Sequence, residues 1–181
     1  LAGRRARLVA SGLRISINDL LLHATATALQ RHPRLNAQFA GEELLQYDQV
    51  DLAVAVATPG GLVTPIVRDA ANQSVQQIAA AVRDLAERAR AGKLAREEIT
   101  GGTFTVSSLG MFGVRQFDAI INPPQVAILA IGAMQERPVV RSGALAVGHQ
   151  VTVSLSSDHR VVDGADAAGF LATLSQVVAG G

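Results

Sequence analysis

Near its C-terminal end the chain reads Val151-Thr152-Val153-Ser154-Leu155-Ser156-Ser157-Asp158-His159-Arg160-Val161-Val162-Asp163-Gly164, an apolar run that breaks into a polar loop. The apolar run predicts a strand, and the alanine-rich segment after Gly164 predicts a helix.

His159 and Asp163 are the residues of this loop best suited to chemistry. Histidine gives and takes protons near neutral pH, and a carboxylate follows His159 four positions later. This spacing keeps both groups on one loop. A histidine followed by an aspartate is also typical of a solvated turn with a helix cap, so the pair by itself leaves both interpretations open.

The composition is that of a folded domain with a core of small aliphatic side chains. Of the 181 residues, 49% are hydrophobic and 3% are aromatic, which suits one domain with a buried core. A net charge of +1 provides no basic field for nucleic acid. The chain has no cysteine, so any thiol chemistry would use the sulfur of a substrate.

The N-terminal segment and the apolar runs bear on location. No apolar run approaches the ~20 residues of a membrane span, and Leu1 begins an arginine-rich segment without the pattern of a signal peptide. We therefore predict no membrane contact. Lys93 is the only lysine, whereas arginine and alanine abound, which is typical of a GC-rich bacterial genome. The expected location is the bacterial cytoplasm.

Helices and strands alternate along the chain. Capping boxes mark two helix starts, Ser16 with Asp19 and Ser74 with Gln77. Apolar residues at helical spacing follow both boxes. The remaining patterns predict hairpins over residues 35–47 and 136–147, and strands over residues 51–57, 62–67, 103–107, 126–131 and 151–155.

Three motifs resemble one known family. Asp158-His159-Arg160-x-x-Asp163-Gly164 is similar to the DHRxxDG signature of the dihydrolipoamide acyltransferases, the E2 components of 2-oxo acid dehydrogenase complexes, whose superfamily includes chloramphenicol acetyltransferase. Gly101-Gly102-Thr103-Phe104-Thr105-Val106-Ser107-Ser108-Leu109-Gly110 and Ile120-Ile121-Asn122-Pro123-Pro124-Gln125 resemble two further motifs of that family. The resemblance covers residues 15–178. It implies an α/β fold of the chloramphenicol acetyltransferase type, a two-layer sandwich in which a mixed β-sheet is packed with helices.

The resemblance also implies roles for individual residues. His159 would be the general base that deprotonates a thiol, and the Ser107 hydroxyl would donate a hydrogen bond to the tetrahedral oxyanion. Asp163 would either hold the loop, through an ion pair with Arg160 or another arginine, or aid proton transfer. Ser108 and Gly132 would contact coenzyme A.

Coenzyme A and lipoamide are the substrates that the resemblance implies, with no metal. Residues 1–181 are expected to be one catalytic domain that lacks the family's opening strand and most of its first helix, with no lipoyl or peripheral-subunit-binding domain. The implied partners are two further copies in a homotrimer that assembles into a larger core, the lipoyl domain of the same enzyme, and the E1 and E3 components of the complex.

Two other functions remain open at this stage. One is a drug-acetylating enzyme of the chloramphenicol type, and the other is a structural core without turnover. Within the first interpretation the acyl group is acetyl or branched-chain, because a succinyl group would need a cation that none of the motifs supplies. His23, His32 and His149 have no partner at metal-ligand spacing, so they are predicted to be structural or exposed.

Overall fold

The structure, a computed structural model, describes residues 1–180 and contains four α-helices in that range. Their bounds are α1 (Ala2–Ala10), α2 (Ile17–Leu29), α3 (Val75–Arg90) and α4 (Gly164–Gly180). Both predicted capping boxes are confirmed. The Ser16 hydroxyl accepts from the Asp19 amide of α2 and the Ser74 hydroxyl from the Gln77 amide of α3, while each of those side chains accepts from the capping residue's own amide.

A five-stranded mixed sheet forms the centre of the fold. Its strands are β3 (Leu52–Val54), β6 (Ile66–Val67), β7 (Phe104–Ser108), β8 (Ala127–Ile131) and β11 (Val153–Ser157). Their order across the sheet is β11-β8-β7-β3-β6. Strand β7 runs parallel to β3 and β8, and the two outer strands run antiparallel to their neighbours. The predicted mixed sheet packed with helices is therefore confirmed.

Three two-stranded hairpins lie outside this sheet. They pair β1 (Ala37–Ala40) with β2 (Glu43–Gln46), β4 (Val56–Thr58) with β5 (Gly61–Val63), and β9 (Gln135–Arg141) with β10 (Ala144–Gln150). The predicted central strand over residues 51–57 is confirmed for β3 but wrong in its extent, because Ala55 separates β3 from β4. Pro65 likewise separates β5 from β6, since proline has no amide hydrogen with which to continue a ladder. The chain diverges there into the β4–β5 hairpin.

The two faces of the sheet differ in their covering. Alternate residues of its central strands, such as Phe104, Val106 and Leu129, pack with the helices in one core cluster that also contains Leu22, Ile78 and Phe170. The residues between them point to the other face. Most of those residues are small or polar, as are Ala53, Thr105, Ser107 and Ala130, and Ile128 is a larger apolar residue on the same face. No helix within residues 1–180 is long and apolar enough to cross a membrane.

Candidate active site

Ser107 lies near the end of β7, on the sheet face opposite the helices. Its backbone pairs with Ala130 of the neighbouring parallel strand, and its side chain is half-buried. Ser107 opens into a pocket of about 460 Å³. The floor comes from Thr105, Ile128 and Ala55, and the wall comes from the irregular segment that follows Gly113. A volume in this range suits a small organic group.

His159 lies in a tight turn between β11 and α4 and is exposed. The Asp158 carbonyl accepts hydrogen bonds from the amides of Val161 and Val162, at 3.0 and 2.9 Å. The Asp158 amide donates to the Val126 carbonyl at 2.8 Å. These bonds fix the backbone on both sides of His159, so the imidazole projects from a defined turn.

The neighbouring Arg160 is held from two sides. Its guanidinium donates to the Asp158 carboxylate at 2.6 Å and lies 4.3 Å from the centre of the Phe39 ring. The Arg160 guanidinium lowers the pKa of Asp158, and the Asp158 carboxylate raises the pKa of Arg160. The turn is therefore tied to β1, an element that is distant in sequence.

Asp163 caps α4. Its carboxylate accepts from the backbone amides of Asp166 at 2.8 Å and Ala165 at 2.9 Å, as an N-cap side chain does. The Asp166 amide, then the Ala165 amide and the charge of Arg34, hold the pKa of Asp163 below its ordinary value. An ion pair between Asp163 and Arg160, one of the alternatives left open for Asp163, is not found within residues 1–180, where Asp158 binds the Arg160 guanidinium.

Ser107 and His159 lie apart within one chain. Ser107 is level with Ala130 of β8, whereas the residue before His159 is bonded to Val126. Ser107 and His159 are therefore offset by at least four residues, or about 13 Å, along the strands. Strand β8 also lies between β7, which carries Ser107, and β11, which precedes His159. The structure does not bring these two residues to one site within the chain.

Ser108 and Gly132, the residues predicted to contact coenzyme A, line a different groove. It has a volume of about 1220 Å³ and lies against α1, α2 and α3. Ser108 faces it because consecutive residues of a strand point to opposite faces. Gly132 also serves packing, since a Cβ atom there would lie 2.0 Å from the Arg115 carbonyl oxygen. The predicted role of both residues in coenzyme binding stays a prediction.

The polar residues of the Ser107 pocket that sequence reasoning missed include Asp118 and Asn122. Asn122 is the second residue of the INPPQ run, residues 121–125, and its place in that motif was a signal that this residue belongs to the site. Asp118 lies in a segment without periodicity, and no sequence signal identified it.

The other three histidines lie outside the Ser107 pocket. The His32 ring bonds the Thr173 hydroxyl at 2.8 Å, and His149 lies 3.5 Å from the Glu136 carboxylate. His23 is half-buried, and burial lowers its pKa.

The fold and the site define the class of this protein. The chain superimposes on chloramphenicol acetyltransferase with a TM-score of 0.58 at 16% identity, over 96% of this chain and 82% of that one, which shows the fold. The family model "2-oxoacid dehydrogenases acyltransferase (catalytic domain)" matches residues 3–180. The chain belongs to this family.

Relatives within the family are acetyltransferases. The chain is 44% identical over 171 residues to the dihydrolipoyllysine-residue acetyltransferase component of the pyruvate dehydrogenase complex of Zymomonas mobilis, covering 94% of this chain and 39% of that protein. It is 46% identical over 168 residues to the mitochondrial counterpart of Schizosaccharomyces pombe, covering 91% and 35%. The chain thus spans about two fifths of the length of the relatives that it matches.

A solved structure of Azotobacter vinelandii dihydrolipoamide acetyltransferase superimposes more closely. The TM-score is 0.90 at 37% identity, over 98% of this chain and 74% of that one. The cubic core of a pyruvate dehydrogenase multienzyme complex matches with the same TM-score and identity.

Proposed function

We propose that this domain transfers an acetyl group between dihydrolipoamide and coenzyme A, as part of the acetyltransferase component of a pyruvate dehydrogenase complex. The observation that carries the proposal is a matched spacing. The A. vinelandii enzyme was investigated for the catalytic role of a serine, a histidine 52 positions later and an asparagine four positions after that. Ser107, His159 and Asp163 have the same spacing in this chain.

In the proposed reaction His159 accepts the proton of the coenzyme A thiol. The resulting thiolate attacks the carbonyl carbon of acetyl-dihydrolipoamide, and the Ser107 hydroxyl donates a hydrogen bond to the oxyanion that forms. The intermediate collapses with cleavage of the bond to the lipoyl sulfur. That sulfur leaves as a thiolate and takes the proton back from His159, so the enzyme is regenerated.

Asp163 has a structural role in this proposal. Its carboxylate is occupied by two backbone amides of α4. The A. vinelandii enzyme has an asparagine at this spacing, and an amide side chain can accept the same capping bonds but does not titrate near neutral pH. These observations favour support of the loop over proton transfer.

A trimer completes the site in this proposal. Because Ser107 and His159 are separated within the chain, we infer that His159 of one subunit meets Ser107 of its neighbour. The small side chains on the sheet face opposite the helices, where Ser107 lies, suit close approach of a neighbouring subunit. In the whole protein, the expected partners are a lipoyl domain of the same enzyme and the E1 and E3 components. The expected location is the bacterial cytoplasm.

The assay offers acetyl-, isobutyryl- and succinyl-dihydrolipoamide with coenzyme A and measures acyl-coenzyme A formation. We expect the highest kcat/KM with the acetyl donor and a loss of about 10²-fold or more in His159→Ala. A tenfold preference for succinyl would contradict the acetyl assignment. Turnover of chloramphenicol instead of dihydrolipoamide would favour the drug-acetylating alternative, and a protein inert towards every donor would favour a structural core.

A further inference from the structure

The pocket at Ser107 has an uneven distribution of charge. Most of its lining is aliphatic or aromatic, and its neutral polar groups come from Thr64, Thr105, Ser107 and Asn122. Asp118 is the one ionisable residue among the lining residues, all of which lie in the described part of the chain. No lysine, arginine or histidine side chain lines the pocket within residues 1–180.

Asp118 is free to act on a ligand. Its side chain is exposed and takes part in no ion pair or side-chain hydrogen bond found within residues 1–180. Its neighbours Phe117 and Ala119 also line the pocket, so the peptide around Asp118 follows the pocket wall. Asp118 therefore brings a carboxylate that has no ion pair within residues 1–180 to the lining of the pocket that Ser107 faces.

We propose that Asp118 is a specificity residue that selects against acyl groups carrying a negative charge. This inference rests on the proposed acyl transfer at Ser107. An acyl group whose carbonyl reaches the Ser107 hydroxyl extends its remaining carbons into the same pocket. A terminal carboxylate, as in a succinyl group, would lose water and meet a like charge, and the pocket lining of this chain has no cation to pair with it.

Neutral acyl groups do not meet this barrier. An acetyl or a branched aliphatic group presents only methyl and methylene surface to Ala55, Leu62 and Ile128. The pocket volume of about 460 Å³ admits both, so charge discriminates between donors here more strongly than size does. The acyl class that fits is short, aliphatic and uncharged.

The size of the effect follows from Coulomb's law. Two like charges several ångströms apart in a solvent-exposed pocket repel enough to lower kcat/KM by about three- to tenfold. Replacement of the carboxylate by a cation adds attraction of similar size, so the total change is about 10- to 100-fold. Added salt weakens both effects because it screens exposed charges.

The test measures the ratio of kcat/KM for succinyl- over acetyl-dihydrolipoamide in the assembled protein. We expect this ratio to rise about three- to tenfold in Asp118→Asn and further in Asp118→Lys. Asp48→Asn is the matched control, because Asp48 is exposed and does not line the pocket. It removes the same charge and should leave the ratio unchanged. In the unmodified protein, the succinyl-over-acetyl ratio of kcat/KM should rise with ionic strength. In Asp118→Asn, the same ratio should stay nearly constant.

Two outcomes separate the inference from the function on which it rests. If acetyl transfer is observed but the ratio is the same in Asp118→Asn, Asp118→Lys and the unmodified protein, Asp118 does not select the acyl group, although the proposed function stands. If the unmodified protein turns over no acyl donor, the proposed function fails, and the selectivity inference fails with it.

Discussion

The guanidinium of Arg160 lies 4.3 Å from the centre of the Phe39 ring, while Asp158 binds the same guanidinium at 2.6 Å. The Phe39 amide also donates to the Pro124 carbonyl at 2.7 Å. Strand β1 thus contacts both the turn that carries His159 and the INPPQ run. This contact links two of the motifs that are far apart in sequence.

Loss of the Phe39 ring should reduce turnover without abolishing it. In Phe39→Leu the aliphatic volume remains but the aromatic face is lost. A cation–π contact of this kind changes the equilibrium between the turn held against β1 and the turn released from it by about two- to fivefold. We expect kcat to fall by that factor. Phe39→Tyr keeps an aromatic face and should retain full activity. Equal losses in both variants would show that packing, not the aromatic face, matters.

The cap on α4 predicts a different result for Asp163. Asparagine accepts the same two amide bonds, so Asp163→Asn should keep the melting temperature and most of the activity, whereas Asp163→Ala should lower the melting temperature. Thermal melts and kcat measured in parallel test this expectation. A severe loss of rate in Asp163→Asn at an unchanged melting temperature would instead show that the carboxylate takes part in proton transfer.

Local patterns were enough to predict both capping boxes, the hairpins and the strand that carries Ser107. The opposite faces of Ser107 and Ser108 could also have been predicted, because side-chain alternation depends only on the strand itself. The strand order β11-β8-β7 could not be read from the sequence. That order, a product of long-range pairing, is what separates His159 from Ser107. Asp118 was missed because its segment has no regular structure and meets the pocket only through tertiary packing.

Gly132 should tolerate no side chain. Its missing Cβ would lie 2.0 Å from the Arg115 carbonyl oxygen and 3.2 Å from that of Thr152, and backbone atoms cannot move as a flexible side chain can. We expect Gly132→Ala to lower the free energy of unfolding by about 1–3 kcal/mol or more in a urea titration. Gly164→Ala is the control, since nothing lies within 4 Å of its Cβ position. Similar stabilities for the two variants would contradict the packing argument.

The Arg88–Glu98 pair predicts a pH dependence of stability. Arg88 donates two hydrogen bonds of 2.6 Å to the Glu98 carboxylate, and chiefly for this reason the pKa of Glu98 falls from an ordinary value of 4.5 to about 2. A carboxyl with a lowered folded-state pKa stabilises the protein fully above its ordinary pKa and loses that contribution as the pH falls through the lowered value.

The unfolding midpoint of Glu98→Gln should therefore lie below that of the unmodified protein at pH 7. The difference between the two unfolding midpoints should narrow as the pH falls from about 4.5 to about 2. Glu97→Gln removes a charge at the neighbouring position, where no side-chain hydrogen bond is lost, and should show a smaller difference at pH 7. A difference for Glu98→Gln that stays constant down to pH 2 would contradict the pairing.

The separation of Ser107 and His159 within the chain leads to a complementation experiment. Chains with His159→Ala and chains with Ser107→Ala are co-expressed with different tags, and trimers that contain both are purified. Each parental trimer should lose about 10²-fold or more in kcat.

In a cyclic trimer of mixed composition, one of the three interfaces joins an intact His159 to an intact Ser107. Activity should therefore recover to about one third of that of the unmodified trimer. As a control, trimers of one unmodified chain and two chains with both substitutions have no interface that joins an intact His159 to an intact Ser107, so they report only the activity of sites formed within one chain. If size measurement confirms the mixed trimers of single variants but their activity stays at the parental level, the two residues act within one subunit and the interface site is wrong.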